Sequence, residues 1–203
     1  MITWYPNYLY SFDIPSLDNK QLYKDCLVAE KYIKDNLSVK ISPERVFAFG
    51  NYTSAAHTYY NLFTLTIPSL SKLYKELSYH ISPLLDYDKT YYIRCWLNVF
   101  REKENIDWHS HFPPEDKAWH GFYCVNVKDS YTSYAIPTSK RIINIPSKEG
   151  RLVIGKSDGD QHKSSPWKGF KKPRITIAFD IFPVGNNYHD NKEIILNHYI
   201  PFK

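Results

Sequence analysis

The chain has 203 residues, 43% hydrophobic and 23% charged, which excludes a disordered polymer and suffices for one domain with a sizeable core. The net charge of +5 can steer small anions, but no basic run exceeds Lys171-Lys172, which argues against a dedicated nucleic-acid face. Cys26, Cys95 and Cys124 are odd in number and lack paired spacing. They predict buried thiols in a reducing, cytoplasmic compartment rather than a disulfide framework. The start "MITWYPNYLYSF" lacks a signal-peptide pattern, and no apolar run approaches a membrane span. Aromatic residues make up 17% of the chain, including 18 tyrosines, which favours β-rich structure and pockets lined by large side chains.

In chain order, residues 18–37 read as a helix. Asp18 can cap it, with Gln21 three residues on, and Leu22, Cys26, Ala29, Ile33 and Leu37 form one stripe. The stretch "FGNYTSAAHTYYNLF" takes no clear assignment. A second helix is predicted over 69–81, after Pro68 and before Pro83, with Leu70, Leu73, Leu77 and Ile81 on one face. From residue 90 the period becomes two. "TYYIRCWLNVF", "GFYCVNV", "TSYAIP", "RIINIP", "GRLVIG" and "RITIAFDIF" are strand-like runs separated by turn residues. The expected fold is α+β but mainly β, a barrel or sandwich with helices packed outside it. One domain over 1–203 would divide into a helical and aromatic support (1–89), a β core (90–183) and a C-terminal extension (184–203).

"GRLVIGKS" at 150–157 spells the phosphate-loop pattern G-x-x-x-x-G-K-[ST]. That loop needs a free backbone between its glycines and a helix behind it. Here Arg151, Leu152, Val153 and Ile154 are strand material, and Gly159 and Pro166 follow. It reads as a strand.

The chemistry-bearing pattern starts at "DWHSH". In an extended strand, residues two apart share a face, so Asp107, His109 and His111 can converge. With His162 far along the chain, H-x-H can hold a transition metal and leave positions open. His57, His80, His120, His189 and His198 read as packed or surface histidines. Arg174 opens a late strand with Thr176 on the same face, a pair able to grip a carboxylate. A barrel-buried cation requires something anionic beside it.

In "WHSH", "DGDQH" and "PRITI" the sequence resembles the Fe(II)/2-oxoglutarate-dependent oxygenases, over roughly residues 90–183. "WLNV" and "WHSHFP" are similar to small viral and bacterial members reading W-x-N and W-H-x-H-P. The resemblance implies a double-stranded β-helix, the jelly-roll core shared with cupins, and an oxidoreductase, a dioxygenase or hydroxylase using Fe(II), 2-oxoglutarate and O2. It implies metal ligands at His109, His111 and His162. It implies a cosubstrate carboxylate on Arg174 and Thr176, with Asn98 and Tyr123 in the same pocket. Asn98 shares its strand face with Arg94 and Trp96. The family carries Asp or Glu where this chain has His111, so Asp107 or Glu115 is an alternative third ligand. The segment 47–63 and the loop 163–174 are expected walls of a substrate cleft; a protein side chain, a nucleobase or a small metabolite would fit their chemistry.

Two other readings use the same residues. "HSHFPPE" is similar to the cupin pattern H-x-H-x-x-x-E, with Glu115 as fourth ligand, but no glycine precedes His109 by six residues and Ser157 stands where proline is expected. A non-enzymatic jelly roll, lectin-like or viral, leaves the three histidines and Arg174 unrelated.

Overall fold

A computed structural model describes residues 1–37, 41–137, 139, 141–158, 160–169, 171–184 and 198–203. Helix α1 spans Asn19–Leu37. Asp18 lies just outside it, its carboxylate accepting from the backbone N–H groups of Lys20 and Gln21 at 3.0 Å each, which satisfies donors that the first turn leaves open. Short helices α2 (Pro43–Phe49) and α3 (Tyr52–Ala55) follow, the second within the stretch that sequence alone left unassigned. Helix α4 spans Pro68–Ile81. Proline at its first turn forfeits no helical hydrogen bond.

The strands are β1 (Ile2–Tyr5), β2 (Leu9–Asp13), β3 (Tyr91–Phe100), β4 (Trp119–Asn126), β5 (Tyr131–Ile136), β6 (Arg141–Pro146), β7 (Arg151–Lys156), β8 (Gln161–Ser164), β9 (Arg174–Pro183) and β10 (Ile200–Pro201). They form a seven-stranded sheet, β1-β2-β7-β4-β9-β3-β10, and a three-stranded sheet, β6-β5-β8. All pairs are antiparallel. This is the jelly roll expected from the six strand-like runs, each of which is a strand. The phosphate-loop spelling falls on β7, paired with β2 and β4.

Three strands, β1, β2 and β8, are additions to the sequence reading. β1 and β2 place part of the expected helical region in the large sheet; the break at Pro6 and Asn7, with Asn7 at φ 59°, hides their alternation. β8, "QHKS", is polar and carries no hydrophobic period. Ile200–Pro201 pairs with β3 as an edge strand, while residues 185–197 of the C-terminal extension lie outside the described residues.

Strand parity separates two environments. On β3, Ile93, Cys95, Leu97 and Val99 face the helices; on β9, Ile175, Ile177, Phe179 and Ile181 do the same, packing with Leu22, Cys26, Ile33, Leu73 and Leu77 of α1 and α4. The alternate residues, Arg94, Trp96, Asn98 and Phe100 opposite Asp180, Ala178, Thr176 and Arg174, face the space between the sheets. Among the described residues no helix is long and apolar enough to cross a membrane.

Gly121 of β4 shows how tightly the sheet is packed. A Cβ there would collide with the Val153 carbonyl oxygen and lie 2.6 Å from Phe179 Cζ. Gly121→Ala is expected to cost about 1–3 kcal/mol, read as a lower midpoint in thermal unfolding followed by circular dichroism.

Candidate active site

A cavity of about 270 Å³ opens between the sheets. His109 and His162 meet across it by an isolated antiparallel bridge, each backbone N–H donating to the other's carbonyl at 3.1 and 2.9 Å. The rest of "DWHSH" is not a strand, contrary to expectation. His111 nonetheless reaches the same point: ring centroids lie 4.2 Å apart for His109–His162, 5.4 Å for His109–His111 and 5.0 Å for His111–His162. One ligand atom from each falls within 4.8 Å of the others. Two nitrogens on one ion, with bonds of about 2.0–2.1 Å, lie about 3–4 Å apart, so small ring rotations complete the set.

The ring protons are positioned for metal binding. His109 Nδ1 donates to the Asp107 carbonyl at 2.8 Å and His111 Nδ1 to Asp180 Oδ1 at 2.6 Å. Carbonyls and carboxylates only accept, so the proton sits on Nδ1 and the Nε2 lone pair is free. His162 Nδ1 lies 3.5 Å from Asp160 Oδ2, too poorly aligned for a hydrogen bond, and it still turns that nitrogen outward. Burial, with the neighbouring His111, lowers the pKa of His109 to about 4. Burial likewise takes His162 well below the usual histidine value. Both rings are therefore neutral at pH 7, the form that binds a metal.

Neither alternative acid joins the cluster. Asp107 is exposed and accepts from the Trp108 N–H at 2.8 Å. Glu115 is exposed on a 3-10 turn, Pro114–Asp116, and the cupin-like reading loses its fourth ligand. Two acids missed in the sequence stand behind the histidines instead. Asp180, fully buried, binds His111 and takes Arg94 Nη2 at 2.9 Å. Asp160, 1% exposed, accepts from His120 Nε2 at 3.1 Å. Burial alone would raise both carboxyls, but His111 and Arg94 hold Asp180, and His120 and His162 hold Asp160, far below the usual carboxylate range. Strand parity could have found both: Asp180 follows Arg174, Thr176 and Ala178 on one face, and Asp160 precedes His162 by two.

At the other end of the cavity lies Arg174, 2% exposed. Nη1 donates to the Ser165 carbonyl at 3.4 Å, the guanidinium sits 5.5 Å from the Phe100 centroid, and Nε has no partner. Among the described residues no carboxylate pairs with it. Burial lowers its pKa to about 10, leaving it charged at pH 7. Beside it, Thr176 Oγ1 accepts from Asn98 Nδ2 at 3.3 Å, and Asn98 Oδ1 accepts from Ser54 Oγ at 2.5 Å. This chain orients Asn98 and leaves the threonine proton free for a ligand.

Tyr123 is a correction. It lies on the helix-facing side of β4 and its hydroxyl donates to Asn19 Oδ1 at 2.8 Å; the cavity-facing neighbours are His120 and Phe122. His57 and His120, read as packed residues, both line the cavity. Segment 47–63 contributes Phe49, Ser54 and His57 to the walls, while loop 163–174 contributes Ser164 and Arg174.

No protein-family model and no curated protein matches the sequence. Solved structures do match. A prolyl hydroxylase from Trichoplax adhaerens, solved with a hypoxia-inducible-factor peptide, is 14% identical, with 88% of this chain and 84% of that chain covered and a TM-score of 0.54. The viral collagen prolyl hydroxylase of Paramecium Bursaria Chlorella virus-1, in its 2OG complex, is 14% identical over 87% of this chain and 97% of that chain, with a TM-score of 0.52. This chain shares the fold of these two hydroxylases. An oxidoreductase of the 2OG-Fe(II) oxygenase family from Burkholderia pseudomallei is 12% identical over 58% of this chain; the chain spans 60% of that protein's length, and the TM-score of 0.47 gives that likeness no weight.

A buried guanidinium with no carboxylate partner among the described residues lowers stability. Arg174→Met is accordingly expected to unfold at equal or higher urea concentration than the parent, with a gain of up to about 4 kcal/mol. A marked loss would instead make Arg174 a structural residue.

Proposed function

We propose that the protein is an Fe(II)- and 2-oxoglutarate-dependent oxygenase, acting as a hydroxylase on a primary substrate. The observation that carries this reading is the buried, uncompensated Arg174 in the same cavity as three gathered histidines. A metal-binding jelly roll that used no anionic cosubstrate would have no need of that cation.

In this reading His109, His111 and His162 hold the iron through Nε2, and Asp180 and the Asp107 carbonyl orient the rings of His111 and His109. Arg174 and the Thr176 hydroxyl take the far carboxylate of 2-oxoglutarate, and Asn98 holds Thr176 in place. Bound together, iron and 2-oxoglutarate activate O2 for oxidation of a C–H bond, with release of succinate and CO2. The chain's own work is positioning and exclusion. Phe100 packs against Arg174 at the cosubstrate end, while Phe49, His57 and Trp96 form an aromatic wall. A cavity of about 270 Å³ that must also hold the cosubstrate admits a side chain, a base or a small metabolite, not a large rigid body. The reactive residues all fall within 90–183, the proposed catalytic core. Three buried free thiols suit a reducing, cytoplasmic setting.

Anaerobic addition of Fe(II) and then 2-oxoglutarate should produce a visible metal-to-ligand charge-transfer band. Arg174→Ala should weaken 2-oxoglutarate binding about 30-fold or more, and His162→Ala should abolish the band. Iron binding with no response to 2-oxoglutarate would replace this reading with a cupin-type metal protein.

A further inference from the structure

Three neutral imidazoles would leave a ferrous ion with no carboxylate in its inner sphere, and the fold places one directly behind His111. Asp180 Oδ1 accepts from His111 Nδ1 at 2.6 Å, and its Oδ2 accepts from Arg94 at 2.9 Å. By comparison, His109 Nδ1 has only a backbone carbonyl, and His162 Nδ1 stands 3.5 Å from its acid. Asp180 makes the shortest charged contact to the cluster.

The arrangement is over-determined. Asp180 is on the central strand β9, directly opposite Arg94 on β3 and His120 on β4. The His111 ring stacks with Trp96, at 5.9 Å and 26°, with His120, at 4.8 Å and 19°, and with His162, at 5.0 Å and 17°. Its plane is therefore set by stacking and its proton by Asp180. Arg94 binds the oxygen remote from His111, which fixes the carboxylate plane and leaves its other oxygen directed at the imidazole.

We propose that Asp180 is a positioning residue for the metal: it holds the His111 proton on Nδ1, aims a bare Nε2 at the ion, and supplies from the outer sphere the negative charge that the His₃ set lacks. A carboxylate on the far nitrogen raises the basicity of the ligating one. The inference rests on the three-histidine reading of the metal site. It makes His111 and Asp180 together the equivalent of one acidic ligand, displaced outward by the length of an imidazole.

The test uses Co(II) alone, titrated into metal-free protein and followed by its visible d–d bands, without 2-oxoglutarate or turnover. Asp180→Asn should weaken Co(II) binding about 10–100-fold and alter the band pattern. Arg94→Met should weaken binding distinctly less than Asp180→Asn, because it loosens the carboxylate plane but keeps the charge and the oxygen that faces His111. If Asp180 served only as the counter-ion of Arg94, the two variants would lose affinity equally and in step with thermal stability, and the inference would be overturned. Should Asp180→Asn fail to fold, Asp180→Glu keeps the charge but displaces the oxygen from His111; unchanged affinity in that variant would also overturn it. A parent protein that binds no Co(II) would instead remove the three-histidine reading, an outcome distinct from equal affinities in parent and variant.

Discussion

Strand β9 is hydrogen-bonded on both edges, to β3 and β4, and is buried from Arg174 to Pro183. A strand so placed has no solvent-facing side, so its alternation must serve two interiors. One is the apolar layer beneath α1 and α4, filled by Ile175, Ile177, Phe179 and Ile181. The other is the cavity, which receives Arg174, Thr176, Ala178 and Asp180. A slip of one residue would drive a guanidinium and a carboxylate into the helix-packed core, at a cost far above any gain in pairing. Register in this one strand therefore places both ends of the site.

The charges within the cavity are distributed unevenly. Arg94 and Asp180 close on each other, and Asp160 is held among imidazoles at the metal end. Arg174 stands at the opposite end, beside Thr176, with no carboxylate partner among the described residues. Protein interiors tolerate a lone cation only where a ligand completes it or where stability is sacrificed for function. An unpaired cation and a cluster of imidazole lone pairs at opposite ends of one cavity suit a ligand that is anionic at one end and chelating at the other. That complementarity, more than the likeness of fold, supports a dicarboxylate keto acid, since a jelly roll by itself hosts many chemistries.

Replacing an acidic ligand by His111 alters the distribution of charge more than its amount. The acid reappears on β9 as Asp180, reached through the imidazole, and Asp160 stands in a comparable place behind His162. Outer-sphere carboxylates of this kind orient ligands and tune an ion, so the proposed three-histidine set would not be electrostatically bare.

Much of this architecture was legible in the sequence. The stripe Leu22–Cys26–Ala29–Ile33, the Asp18 cap and the period-two runs from residue 90 are local signals, set by a few residues and their immediate neighbours. The pairing of H-x-H with a distant His162 and Arg174 was visible as order and spacing. The strands β1, β2 and β8 were not, because they are short or polar and owe their extended state to partners in the sheet. Tyr123 was assigned to the pocket on residue type, whereas the phase of β4 turns it toward Asn19. Asp180 and Asp160 went unnoticed because a carboxylate acquires its role only from what stands opposite it. Sequence by itself determined α1, α4 and the six period-two strands, the histidines able to take a metal and an arginine able to pair with a carboxylate, all properties of residue type and local period. Tertiary structure alone decided which acids stand behind the imidazoles, that no carboxylate among the described residues pairs with Arg174, and which side of each strand meets the cavity, because those depend on register between segments distant in the chain.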